Sequence, residues 1–147
     1  MAGCWSGQEI KPEAGEAEVK EDLIRRIDDF ITEQILFSCE LIARQATERV
    51  SDGDVVLTYG RSYAVELALK RAHSQGRKFR VIVVDSRPLL EGKRLAKTLT
   101  AEGLHVTYMQ LNAISYILRS VSKVFIGAAA LLSNGAVISR AGTAVGE

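Results

Sequence analysis

The chain has 147 residues, the length of one ordinary domain, and at 47% apolar and 25% charged it has the composition of a globular protein with a real core. Nineteen Lys and Arg against eighteen Asp and Glu leave a formal charge of +1, so no basic surface marks nucleic acid or an anionic membrane as an obligatory partner. The longest apolar runs, Val81–Val84 and Gly127–Leu132, are too short to span a bilayer.

Residues 1–17 are small, polar and acidic, broken by Gly3, Gly7, Pro12 and Gly15, and read as a disordered leader. They lack the basic and apolar regions of a secretory signal, and Cys4 and Cys39 have neither disulfide-framework nor metal-ligand spacing, so the cytosol is the expected compartment. Residues 18–50 change character. Leu23, Ile27, Phe30, Ile31, Ile35, Leu41, Ile42, Ala46 and Val50 recur at three- and four-residue steps, with Arg25, Asp28, Asp29, Glu40 and Arg44 between them. That is an amphipathic helical extension, Val19–Val50, either one helix roughly 48 Å long or two helices nearly in line. Its apolar stripe is a candidate contact with another protein; packing on its own sheet is an equal reading for the C-terminal half. Cys39, at the edge of the stripe, reads as a small core residue.

Ser51-Asp52-Gly53-Asp54 is a turn, and an alternation follows over 51–147. Strands are expected at Val55–Tyr59, Arg80–Asp85, His105–Met109 and Lys123–Gly127, with helices at Tyr63–His73 and Leu89–Ala101 and a short helix over Ala113–Ser120 capped by Asn112. Asn134-Gly135 between apolar flanks is a hairpin signal. Near-continuous apolar strands alternating with helices predict an α/β fold: a doubly wound, mostly parallel, Rossmann-like sheet, incomplete at its C-terminus. Gly142-Thr143 looks like the start of another helix with the chain stopping at Glu147, which suggests a fragment or shortened variant with an unprotected last strand.

Ligands of such sheets bind beyond the carboxyl ends of the strands. Arg61, Asp85 and Arg87 fall there and could hold a phosphorylated small molecule; alternatively Asp85 simply caps a helix. The G-x-G-x-x-G and G-x-x-x-x-G-K-[ST] phosphate loops are absent, so nucleotide binding has no support and no cofactor is expected. His73 and His105 read as surface or cap residues, Tyr108 and Met109 as core.

The strings SDGDVVLTYG (51–60), VVDSRPLLEG (83–92), SYILRSVSKV (115–124) and GAAALLSNGAVISRAGT (127–143) resemble one family over about Leu23 to Thr143. It has two branches. One comprises the regulatory alpha, beta and delta subunits of the guanine-nucleotide exchange factor for translation initiation factor two, the delta pattern being the nearest. The other comprises methylthioribose-1-phosphate and ribose-1,5-bisphosphate isomerases. The resemblance places Gly60 where the isomerases carry a catalytic cysteine, and Ala136 where they carry a catalytic aspartate; Ala129 replaces a further acid. Glycine and alanine can neither attack nor carry a proton, so the resemblance implies a non-enzyme. Asp85, Arg87 and Arg94 match the substrate-side residues of the enzymes, implying with Arg61 a vestigial anion pocket. The implied role is regulatory, with nucleotide exchange belonging to the epsilon subunit. Implied partners are the beta subunit first, then alpha, gamma and epsilon, and initiation factor two through its phosphorylated alpha chain.

Overall fold

The computed structural model describes residues 16–143. All but the last two residues of the expected leader lie outside that range, as do the four residues after Thr143. The described chain falls into two units that part between Ser38 and Cys39. The first contains α1 (Glu16–Phe30) and a π-helical segment, Ile31–Leu36, in which the Phe37 N–H donates to the Thr32 carbonyl five residues back. That wider turn breaks the regular period expected of one α-helix. Helix α2 (Phe37–Glu48) begins at the boundary.

In the second unit, α2 is held by Ala43 and Thr47, both buried. The Thr47 hydroxyl lies 2.7 Å from the Ala43 carbonyl and 3.2 Å from that of Ala68. The Arg77 guanidinium donates to the carbonyls of Thr47, which also accepts the Val50 N–H, and of Val50, just beyond the helix end. Cys39 is partly exposed rather than a core residue, because burial of α2 begins further along, at Ala43.

Four parallel strands, β1 (Val55–Tyr59), β2 (Arg80–Asp85), β3 (His105–Gln110) and β4 (Lys123–Phe125), form a sheet of order β3-β2-β1-β4. The α/β, Rossmann-like reading holds. Alternation sorts the inner strands into two faces. Val56, Val81 and Val83 pack with Val65, Leu69 and Ala72 of α3 (Tyr63–Ser74) and Leu95, Ala96 and Leu99 of α4 (Gly92–Ala101). Val55, Leu57, Tyr59, Ile82 and Val84 pack on Ile114 of a 3-10 segment, Leu111–Tyr116, which a second, Leu118–Ser120, follows. Strands β5 (Ala130–Leu131) and β6 (Val137–Ile138) make an antiparallel hairpin around Asn134-Gly135, where Gly135 takes φ +85° and Asn134 Oδ1 accepts the Ala136 N–H.

Several expectations need correction. Helix α4 starts at Gly92, not Leu89, because Leu90 sits at φ +48°, outside the right-handed helical region. The segment after β3 is 3-10 rather than α, and Asn112 lies inside it while Gln110 holds the cap position. Strand β4 ends at Phe125 rather than Gly127. Tyr108 is 37% exposed, since β3 is an outer strand of the described sheet; Met109 packs on the core.

Candidate functional site

The strand order runs outward from β1 through β2 to β3, then reverses to place β4 on the other side of β1. The crevice beyond the carboxyl ends of β1 and β4 is therefore the topological switch point, where such sheets bind ligands. Two cavities open at this rim. The larger, about 450 Å³, is lined by Tyr59, Gly60, Asp85, Ser86, Arg87 and Arg140 among others. The smaller, about 220 Å³, lies between Arg61, Ser62, Gly127, Ala129, Ser139 and Arg140.

Asp85 ends β2 and is only 3% exposed. Among the described residues it has no cationic side-chain partner; hydrogen bonds hold it instead. Oδ1 accepts the Ser86 N–H at 3.0 Å, and Oδ2 accepts the Lys93 N–H and the Tyr108 hydroxyl, each at 3.1 Å. Lys93 is in the first turn of α4, and its N–H, which also donates to the Leu90 carbonyl at 3.3 Å, brings the carboxylate to the positive end of that helix. The same closeness explains Gly92, where a Cβ would fall 2.8 Å from Asp85 Cγ. Burial, then the hydrogen bond to Asp85 and its charge, push the Tyr108 phenol above its ordinary value.

The arginines divide. Arg61 donates through Nε to Oε2 of buried Glu66 at 3.1 Å, and Glu66 also receives Lys70 at 3.4 Å. Lys70 reaches on to Glu102 at 3.2 Å, and these carboxylates, Glu102 foremost, raise its pKa. Arg87 is exposed beside the larger cavity with no side-chain partner among the described residues. Arg94 is exposed on α4 and lines neither cavity. The structure thus brings Asp85 and Arg87 to one cavity, leaves Arg61 at the other, and separates Arg94 from both.

Two residues of the rim, Arg140 and Ser139, escape a reading by sequence, whereas Tyr59 is expected there from its place at the end of a strand. Arg140 pairs with Glu91 and lines both cavities, carried there by the fold-back after the hairpin. The Tyr59 hydroxyl lies 2.7 Å from Ser86 Oγ and 2.7 Å from the Ala141 carbonyl, tying that fold-back to the end of β1. Ser139 Oγ donates to the Gly127 carbonyl at 2.6 Å. Tyr59 ends a strand, which was a usable signal; nothing local marks Arg140. Among the described residues no three His, Cys, Asp or Glu side chains gather as metal ligands would.

The sequence profile of the Initiation factor 2 subunit family matches residues 4–145. The chain belongs to this family. It is 48% identical, over 87% of its length, to translation initiation factor eIF2B subunit delta of Schizosaccharomyces pombe, and spans 27% of that protein. It is 34% identical to a ribose 1,5-bisphosphate isomerase of Methanocaldococcus jannaschii, covering 84% of this chain and 40% of the isomerase. Among solved structures it is similar to the tetrameric eIF2B-beta2-delta2 complex from C. thermophilum, with a TM-score of 0.75 at 39% identity over 89% of this chain and 42% of that one.

Within the family frame, Gly60 and Ala136 acquire positions. Gly60 follows β1 at φ +64° on the wall of the larger cavity, contributing backbone alone. Ala136 sits in the exposed turn of the hairpin, and Ala129 lines the smaller cavity without an acid. No cysteine or hairpin carboxylate faces the rim among the described residues.

Proposed function

We propose that the chain serves as a non-catalytic, delta-type regulatory subunit of the factor that exchanges GDP for GTP on translation initiation factor 2. It works in the cytosol through contacts with other proteins. The observation that carries this reading is the 48% identity to an eIF2B delta subunit across 87% of the chain. The side chains at Gly60, Ala129 and Ala136 support it, because none can act as nucleophile, acid or base. Its first partner is a beta-type subunit, as the similarity to a beta2-delta2 complex suggests. Alpha, gamma and epsilon subunits and the phosphorylated alpha chain of initiation factor 2 complete the set. Of the helical stretch 18–50, the part before Cys39 acts separately in that assembly from the sheet region 51–147, to which α2 is bound. Regulation would lie in contacts that differ between assembly states. Co-purification tests this: the tagged chain should retain a beta-type subunit in a defined stoichiometry. A failure to bind any exchange-factor subunit overturns it.

A second reading rests on the 450 Å³ cavity, where buried Asp85 and unpartnered Arg87 stand together, and on the isomerase relative. Here the rim retains a sugar phosphate without converting it, Arg87 being the free cation, Asp85 facing hydroxyls and Arg61 completing the anion pocket. Arg94 would act only at a distance. Titration with ribose 1,5-bisphosphate should show binding that Arg87→Ala weakens, without product. Turnover would instead reinstate the enzyme.

A further inference from the structure

The opposite edge of the sheet, at the amino ends of the strands, holds a cavity of about 360 Å³. His73, Arg77, Lys78, Arg80 and His105 line it, against one carboxylate, Asp54. Helices α3 and α4 end here, and basic side chains at such ends ordinarily serve the last carbonyls. In this chain the backbone does that work. Gly76 N–H donates to His73 O at 2.8 Å and Arg77 N–H to Ala72 O at 3.3 Å; Gly103 N–H donates to Thr100 O at 3.0 Å and Leu104 N–H to Leu99 O at 3.1 Å. Gly76 and Gly103, at φ +83° and +89°, make both closures possible.

The cationic side chains are consequently left over. Arg77 is engaged with the end of α2. His73, Lys78, Arg80 and His105 have no side-chain partner among the described residues. Nearby acids are already occupied: Asp54 holds Lys123 at 2.6 Å, Glu102 holds Lys70, and Asp52 accepts the Lys78 backbone N–H at 2.7 Å. In a chain whose formal charge is +1, several unused donors around one cavity form a local positive excess. The volume falls at the small end of ligand sites.

We propose that this cavity binds a small phosphate-bearing anion, with Lys78 and Arg80 supplying the charge and His73 and His105 the N–H donors. The site lies across the sheet from the rim and is independent of the function proposed above. Pyrophosphate is a suitable probe, titrated calorimetrically into the whole chain. The expected result is saturable one-site binding that the double variant Lys78→Ala/Arg80→Ala weakens at least tenfold and Arg87→Ala leaves unchanged. Both replaced side chains are exposed, so the fold should persist, checked by circular dichroism. Absence of saturable binding overturns the proposal, as does binding the double variant keeps. Loss in Arg87→Ala would assign the anion to the rim and overturn it equally.

Discussion

Leu57 of β1 and Val124 of β4 are register partners with similar side chains, yet Leu57 is 1% exposed and Val124 41%. The contrast extends along the sheet. Every residue of β1 is buried and all but the first of β2, whereas β3 and β4 alternate between partial burial and exposure. Both strands of the hairpin beyond are exposed, with Leu131 at 74%. Apolar content does not decide burial; having a strand on each side and cover on each face does. Stability should therefore concentrate in β1 and β2, with the outer strands and hairpin at the low-stability end.

The sharpest way to break that contrast is by truncation. Leu57→Ala should cost about 2–5 kcal/mol in urea unfolding, while Leu131→Ala should stay within roughly 0.5 kcal/mol. Equal losses would show the hairpin enclosed as tightly as the inner strands. Next comes Gly92→Ala, where the added methyl meets the fixed Asp85 carboxylate and overpacks the start of α4. A loss of about 1–3 kcal/mol is expected. An unchanged midpoint would mean the Asp85 loop yields freely. A smaller effect of opposite sign is expected at Thr58, wholly buried in β1 with its hydroxyl unpaired among the described residues. Thr58→Val keeps the shape and removes the orphan polar group, so stability should rise by about 1 kcal/mol. A loss there would reveal a partner for the hydroxyl.

The inner strands were readable because the signals that define them are local: VVLTY and RVIVVD carry their burial in their own composition, and their limits agree with the structure. Asn134-Gly135 was readable for the same reason, a two-residue turn needing positive φ. The less regular pieces were not. Nothing in Ile31–Leu36 announces a π-turn, and Ala113–Ser120 has helix-like composition yet folds as 3-10 turns. At the rim the sequence separates residues that topology joins. Asp85 and Arg87 share a loop and could be paired by eye, but Arg140 reaches Glu91 only through the fold-back fixed by Tyr59. Arg94, seven residues after Arg87, misses the rim because three residues of expected helix are loop and α4 turns it outward.

The smallest effect concerns the join between an inner and an outer strand. Asp54, just before β1, receives Lys123 Nζ from the first residue of β4 at 2.6 Å, and also Ser122 Oγ at 2.9 Å and the Ser51 N–H at 2.7 Å. The Lys123 ammonium leads the causes that hold the Asp54 carboxyl below its ordinary value, against an opposing contribution from burial. The folded chain thus binds this proton less tightly than the unfolded chain. The associated stability is fully present above the unfolded carboxylate value, about 3.9, and is lost as pH falls through the lower folded value. Lys123 is partly exposed, so water screens the pair and the gain should stay under about 1 kcal/mol. Unfolding at pH 7 and pH 3 should show the parent losing more stability on acidification than Asp54→Asn. Equal losses in the two proteins would mean the clasp adds nothing to the β1–β4 pairing, which would then rest on the three-residue register from Val56 to Thr58 and the hydrogen bonds between Val55 and Ser122.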